Sequence, residues 1–156
     1  MHLDAALNFL VGEWKDEHRT GEPGTASDGG ETWAVDLGDS VLIRSGWCEF
    51  PASEKRGAYR HEDLLIVYAE AEGEMHGIFW DNEGHVIHYR DANLLPEGTG
   101  IVLVSDRALP GPRQQLLYVF EPPDHLTATF SLLLPGSADF APYLKWNARR
   151  TKAGPS

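Results

Sequence analysis

Cysteine, basic side chains and long apolar runs are all scarce in this chain. Cys48 stands alone, so no internal disulfide can form, the fold is not a stapled secreted scaffold, and no second thiolate supports a metal site. Thirteen Lys and Arg face twenty-four Asp and Glu, a formal charge of −11 that repels phosphate backbones and anionic lipid surfaces at a distance. Nucleic acid and membrane are therefore set aside as partners. No apolar stretch approaches the roughly 20 residues that span a bilayer. The opening segment from Met1 to Val11 lacks a basic n-region and meets Glu13 before any long apolar run. A cytoplasmic location is the expectation.

Apolar and aromatic side chains are not scarce. Hydrophobic residues make up 42% of the 156, too many for a disordered chain, and the length allows one sizeable core. Five Trp, five Tyr and six Phe are spread along the whole chain, and these residues favour strands. Leu3, Ala6, Leu7 and Leu10 recur with helical spacing ahead of Gly12, which predicts a short N-terminal helix. Beyond it, β-like runs fall near 13–20, 30–37, 40–50, 61–70, 74–81, 85–92, 99–106, 114–121, 125–134 and 145–152. Short connections such as Leu37-Gly38-Asp39, Ala71-Glu72-Gly73 and Asn82-Glu83-Gly84 carry the residues of tight reversals, so consecutive strands should pair antiparallel. Longer breaks at Gly21 to Gly29, Pro51 to Gly57, Ala108 to Pro112 and Pro135 to Pro142 have room to form a rim or lid. Closing such a meander removes its exposed edges. The expected fold is all-β: one antiparallel up-and-down barrel domain over 1–156, of about ten strands, with a short N-terminal helix. Barrels beyond about eight strands often retain interior space for a small ligand. A flattened sandwich with a filled core is the alternative.

Several aromatics share a strand face with aliphatic neighbours: Trp33 with Val35 and Leu37, Trp47 with Val41 and Ile43, Trp80 with Ile78, Tyr118 with Leu116 and Phe120, Phe130 with Ala128 and Leu132. These faces are candidate cavity linings. Arg44, His76, His88 and Arg90 are the polar candidates that would orient a ligand among them. Alternation defines two faces per strand without saying which is inside. His76, His85 and His88 invite a metal reading, but their spacing matches no compact ligand motif and no metal is expected. No Gly-x-Ser-x-Gly elbow occurs. Cys48, between Trp47 and Glu49, reads as a small buried hydrophobe.

The segment Phe9-Leu10-Val11-Gly12-Glu13-Trp14, the late Arg149 and Arg150, and the run Phe79-Trp80-Asp81-Asn82-Glu83-Gly84-His85 resemble the calycin superfamily of lipocalins and fatty-acid-binding proteins. They look most like the nitrobindin-like and bacterial lipocalin-like barrels. The resemblance implies that Trp14 plugs one barrel end with Arg149 or Arg150 packed across it. Nitrobindin-like barrels bind haem through a histidine near the C-terminus, but the last histidine here is His125, so no cofactor is expected. The function expected is binding or carriage of a small, largely apolar molecule bearing a carboxylate or carbonyl; a homodimer is compatible with the sequence. One alternative is an enzyme in which a pocket histidine and an acid such as Glu49 or Asp63 transfer a proton. Another is a filled structural or regulatory barrel.

Overall fold

The computed structural model describes Leu3 and residues 5–21, 26–107 and 109–154. Among the described residues ten strands form: β1 (Gly12–Gly21), β2 (Asp28–Asp36), β3 (Val41–Phe50), β4 (Tyr59–Ala69), β5 (Met75–Asp81), β6 (Val86–Leu94), β7 (Gly100–Ser105), β8 (Arg113–Glu121), β9 (His125–Leu133) and β10 (Ala141–Ala153). Each pairs antiparallel with the next, and β10 returns to pair with β1, so the sheet closes into a barrel. Period-2 burial shows which face points inward; along β3, for example, Leu42, Arg44, Cys48 and Phe50 are buried while their neighbours are more exposed. Proline in a strand normally signals a loop, yet β10 starts before Pro142. It is tolerated there because the β9 pairing shifts register between Pro142 and Leu144.

The N-terminal helix takes the tighter 3₁₀ form over Ala5–Leu10. Three residues per turn align Leu7 with Leu10, and these two are buried while Ala6 is exposed, so the burial follows i, i+3 rather than the full α pattern. At Gly12 the chain turns into β1 with φ +137°, and a Cβ there would meet the Lys152 carbonyl oxygen at 2.5 Å, so glycine is needed for both reasons.

An up-and-down meander places alternate connections at the same end. The short turns after β2, β4, β6 and β8 gather at the end carrying the helix, and all four long breaks foreseen in the sequence gather at the other. Residues 22–25 and Ala108, within two of those breaks, lie outside the described residues. The two ends are filled differently. At the helix end Leu7, Leu10, Trp14, Trp33, Leu65, Val67, Ile101, Leu103 and Leu126 form a continuous core. At the loop end the interior opens into a cavity. No helix among the described residues is long and apolar enough to cross a membrane.

Candidate functional site

The cavity has a volume of about 630 Å³ and opens between the long loops. Its walls differ in character. Phe79, Ile87, Tyr89, Leu116, Phe130, Leu144 and Trp146 present apolar surface, whereas Arg19, Arg44, His61, Asp63, Asp81 and Glu83 present charged groups from β1, β3, β4, β5 and the turn after β5.

Arg44 anchors the charged wall. Its Nε donates to Glu31 Oε2 at 2.6 Å and its Nη1 lies 3.0 Å from Asp63 Oδ1, with all three side chains at least nine-tenths buried. Tyr118 donates its hydroxyl to the same Glu31 oxygen at 3.0 Å, and the Arg44 guanidinium lies 5.9 Å from the Tyr118 ring and 5.6 Å from that of Trp146. Gly46 makes room for the pair, since a Cβ there would lie 2.5 Å from Asp63 Oδ1 and 2.8 Å from Arg44 Nη2. Burial works against the Arg44 charge, but the Asp63 and Glu31 carboxylates outweigh it and hold the group protonated. Burial likewise works to raise the Asp63 carboxyl, yet Arg44 and the hydrogen bond from His61 prevail and hold it below the usual carboxylate range.

His61 sits one inward step nearer the mouth, its Nε2 3.2 Å from Asp63 Oδ2 and its Nδ1 3.7 Å from Glu83 Oε1. The hydrogen bond to Asp63 raises the ring above the ordinary histidine value, against the opposing pull of burial. Asp16, beside the β1 bulge, is pushed up to about 7 by burial and then by Glu31, with Arg19 and Arg44 opposing. Arg19 differs from Arg44 in its surroundings. Among the described residues it joins no ion pair, its buried Nε has no hydrogen-bond partner, and its guanidinium lies 5.1 Å from the Trp146 ring.

Of the nine residues expected to line a cavity, two line this one: Arg44 and Phe130. Trp33 and Tyr118 are inward but sit in the filled layer adjoining the cavity, packed edge to face at 5.2 Å. The other five are corrections. Trp47 lies on the outer face, its indole covered by Lys15 at 5.0 Å and Arg60 at 4.4 Å. One strand cannot turn both Arg44 and Trp47 inward, and the inner face went to the arginine because Glu31 and Asp63 satisfy its charge. Trp80 is outward because its neighbours Phe79 and Asp81 line the cavity, and His88 is outward because Ile87 and Tyr89 do. Arg90 is exposed on the outer surface. His76 is buried under Tyr68 on the outside of the sheet, its Nδ1 2.5 Å from the Arg90 carbonyl oxygen, where register shifts beside Met75 and Tyr89 displace both strands.

The candidate acids separate too. Asp63 meets a histidine in the cavity, whereas Glu49 faces outward and binds Arg60 at 2.9 Å. Cys48 is buried on the inner face, and burial pushes its thiol up to about 11, so it is a protonated core residue at neutral pH. Arg19, His61, Asp81, Glu83 and Trp146 were not anticipated. Along β4 the sequence did carry a signal, since His61, Asp63, Leu65 and Val67 alternate from polar to apolar on one face, as a wall running from mouth to core would.

No protein-family model matches the chain, and no curated protein matches it.

Proposed function

We propose that this barrel binds one small amphipathic molecule inside its open end, with the apolar body against Phe130, Leu116 and Trp146 and an anionic or carbonyl oxygen at Arg19. The observation that carries the reading is the cavity of about 630 Å³, a volume in the range of small-molecule sites, with one wall apolar and the other charged. Arg19 is favoured over Arg44 as the anchor. Glu31 and Asp63 already satisfy Arg44. Arg19 brings a buried Nε without a partner and a guanidinium beside an aromatic ring, a pairing that leaves its donors free.

Kinship with the calycin barrels is part of the proposal. Its support is the helix leading through Gly12 into Trp14, with the Arg150 guanidinium 4.5 Å from the Trp14 ring.

Two dyes with the same apolar body test the reading: 1-anilinonaphthalene-8-sulfonate and its uncharged parent, N-phenyl-1-naphthylamine. Both should saturate at one equivalent, quench tryptophan fluorescence and raise the unfolding temperature, since a ligand bound only to the native state stabilises it. Arg19→Met should weaken the sulfonate by about tenfold, equivalent to about 1.4 kcal/mol, and leave the neutral dye unchanged. Binding that never saturates would end the cavity reading. Equal loss for both dyes would end the role of Arg19.

The His61 and Asp63 pair supports a second reading, proton transfer on a bound substrate, because the acid orients the imidazole and the ring faces the cavity. Native mass spectrometry of protein from its own host separates the two. A co-purifying molecule whose mass is unchanged after incubation with the protein in D2O and return to H2O favours carriage, and one that retains a carbon-bound deuterium, one mass unit heavier, favours catalysis.

A further inference from the structure

We propose that His61, Asp81 and Glu83 bind one first-row divalent cation at the mouth of the cavity. This inference stands apart from the ligand reading, because it rests on the geometry of the β4 and β5 pairing alone. In that pairing Asp63 stands opposite Asp81 on the inward face. One inward step toward the mouth adds His61 on β4, and the turn after β5 adds Glu83, so four ligand-type side chains converge on one patch of the charged wall. A nitrogen of His61 and one oxygen each of Asp81 and Glu83 lie within 4.8 Å of one another. Bonds of about 2.0–2.2 Å from each to a central ion need only a small torsional closure of that set.

Opposed carboxylates destabilise a strand pair unless a positive charge lies between them. Arg44 answers Asp63, His85 lies 2.8 Å from Asp81 Oδ2, and Arg56, which also lines the cavity, lies 3.8 Å from Glu83 Oε1, so no full cation stands between the Asp81 and Glu83 carboxylates and His61. Around the remaining three groups the orienting contacts of a metal centre are in place. Asp63 Oδ2 lies 3.2 Å from His61 Nε2, which leaves Nδ1, 3.7 Å from Glu83 Oε1, as the ring nitrogen available to a cation. Asp63 is in turn fixed by Arg44, so the histidine carries the carboxylate support that metal-bound imidazoles characteristically have. Asp81 is held by the backbone N–H groups of Glu83 and His85, at 3.0 and 2.9 Å, which both go to Oδ1; its Oδ2 takes His85 at 2.8 Å and keeps a second lone pair.

One imidazole with two carboxylates suits zinc, manganese or ferrous iron, and is too rich in nitrogen and too small for calcium. Three protein donors leave at least one coordination position, and it faces the cavity, where water or an oxygen of a bound molecule would take it. His76 and His88, from the outer surface, take no part.

Zinc titrated calorimetrically into the chelator-treated full-length protein tests the site. The expected result is one equivalent bound at micromolar concentration or tighter, unaffected by millimolar magnesium or calcium. Affinity should fall about tenfold or more in both His61→Gln and Glu83→Gln. Cobalt should give visible d–d absorption that both variants lose. Glu83 lies in a solvent-facing turn, so its variant keeps the test decisive where His61→Gln fails to fold. Absence of saturable zinc binding up to millimolar concentration overturns the proposal, and so does stoichiometric binding unchanged in Glu83→Gln or in a folded His61→Gln.

Discussion

Each end of this barrel contains a buried or half-buried arginine, and the two are satisfied in opposite ways. At the closed end Arg150 donates to the carbonyl oxygens of Val11 and Phe9, at 2.6 and 2.5 Å, while its guanidinium rests on the Trp14 indole, which itself donates to the Leu10 carbonyl at 2.8 Å. Its partners are neutral, and the result is a pinned helix over a filled core. At the open end Arg44 meets two carboxylates and an aromatic pair, and the result is a charged wall around empty volume. The same side chain therefore closes one end and equips the other. Neutral backbone partners fix the guanidinium in place but leave its charge uncompensated, so burial pulls the Arg150 value down. Ionised partners create a field that extends to Asp16, His61 and Arg19.

The largest effect expected from this contrast is at the closed end. Trp14→Ala empties a buried aromatic site and should lower stability by about 3–5 kcal/mol while leaving dye affinity of the folded protein nearly unchanged. Denaturant unfolding measures it, and a loss below about 1 kcal/mol would show that the plug does not hold that end.

Arg44→Met should cost about 3 kcal/mol at pH 8, because it strands Glu31 and Asp63 as uncompensated buried charges. The cost should shrink at pH 4, where Asp63, no longer held below the usual carboxylate range by Arg44, can take up a proton. An equal loss at both values would mean that packing, not charge, is what Arg44 supplies.

Asp16 gives a smaller, pH-dependent effect. Its folded value of about 7 lies above the 3.8 of an unperturbed aspartate, so the folded state holds the proton more tightly than the unfolded one. The stabilisation is present in full below about pH 4 and is lost as pH rises to about 7. Asp16→Asn should remove that decline and make the protein more stable than the parent at pH 8, by about 1–2 kcal/mol. Urea unfolding of both proteins at pH 5 and pH 8 tests this. Parallel pH slopes would place Asp16 in solvent.

The smallest effect sharpens the distinction between inside and outside. Phe130→Ala should weaken N-phenyl-1-naphthylamine binding by about tenfold, and Trp80→Ala by less than twofold, since only the first side chain lines the cavity. Similar losses in both would overturn the assignment of the β5 faces.

The sequence determined what local chemistry encodes. Turn residues set the number of reversals, period-2 patterning set the strands, and the four long breaks all follow odd-numbered strands, which in an up-and-down barrel gathers them at one end beside the short turn after β5. Gly12, Trp14 and the late arginine pair were picked out by resemblance to known barrels and not by spacing or composition. Only the tertiary structure separated Arg150, which covers Trp14, from Arg149, which binds Glu17 and Asp124 outside. It also decided the sign of each face. Alternation gives two faces with no label, and hydrophobicity mislabels them on β3, where the Trp47 indole is covered by Lys15 and Arg60 outside while Arg44 is neutralised inside. Register shifts at Asp16, Met75 and Tyr89 displaced the side chains beyond them. The site itself depended on closure, because Glu31, Arg44, Asp63 and Tyr118 come from four strands, and Tyr118 reaches a carboxylate 87 positions away. No spacing along one strand encodes a contact that exists only once the sheet has closed on itself.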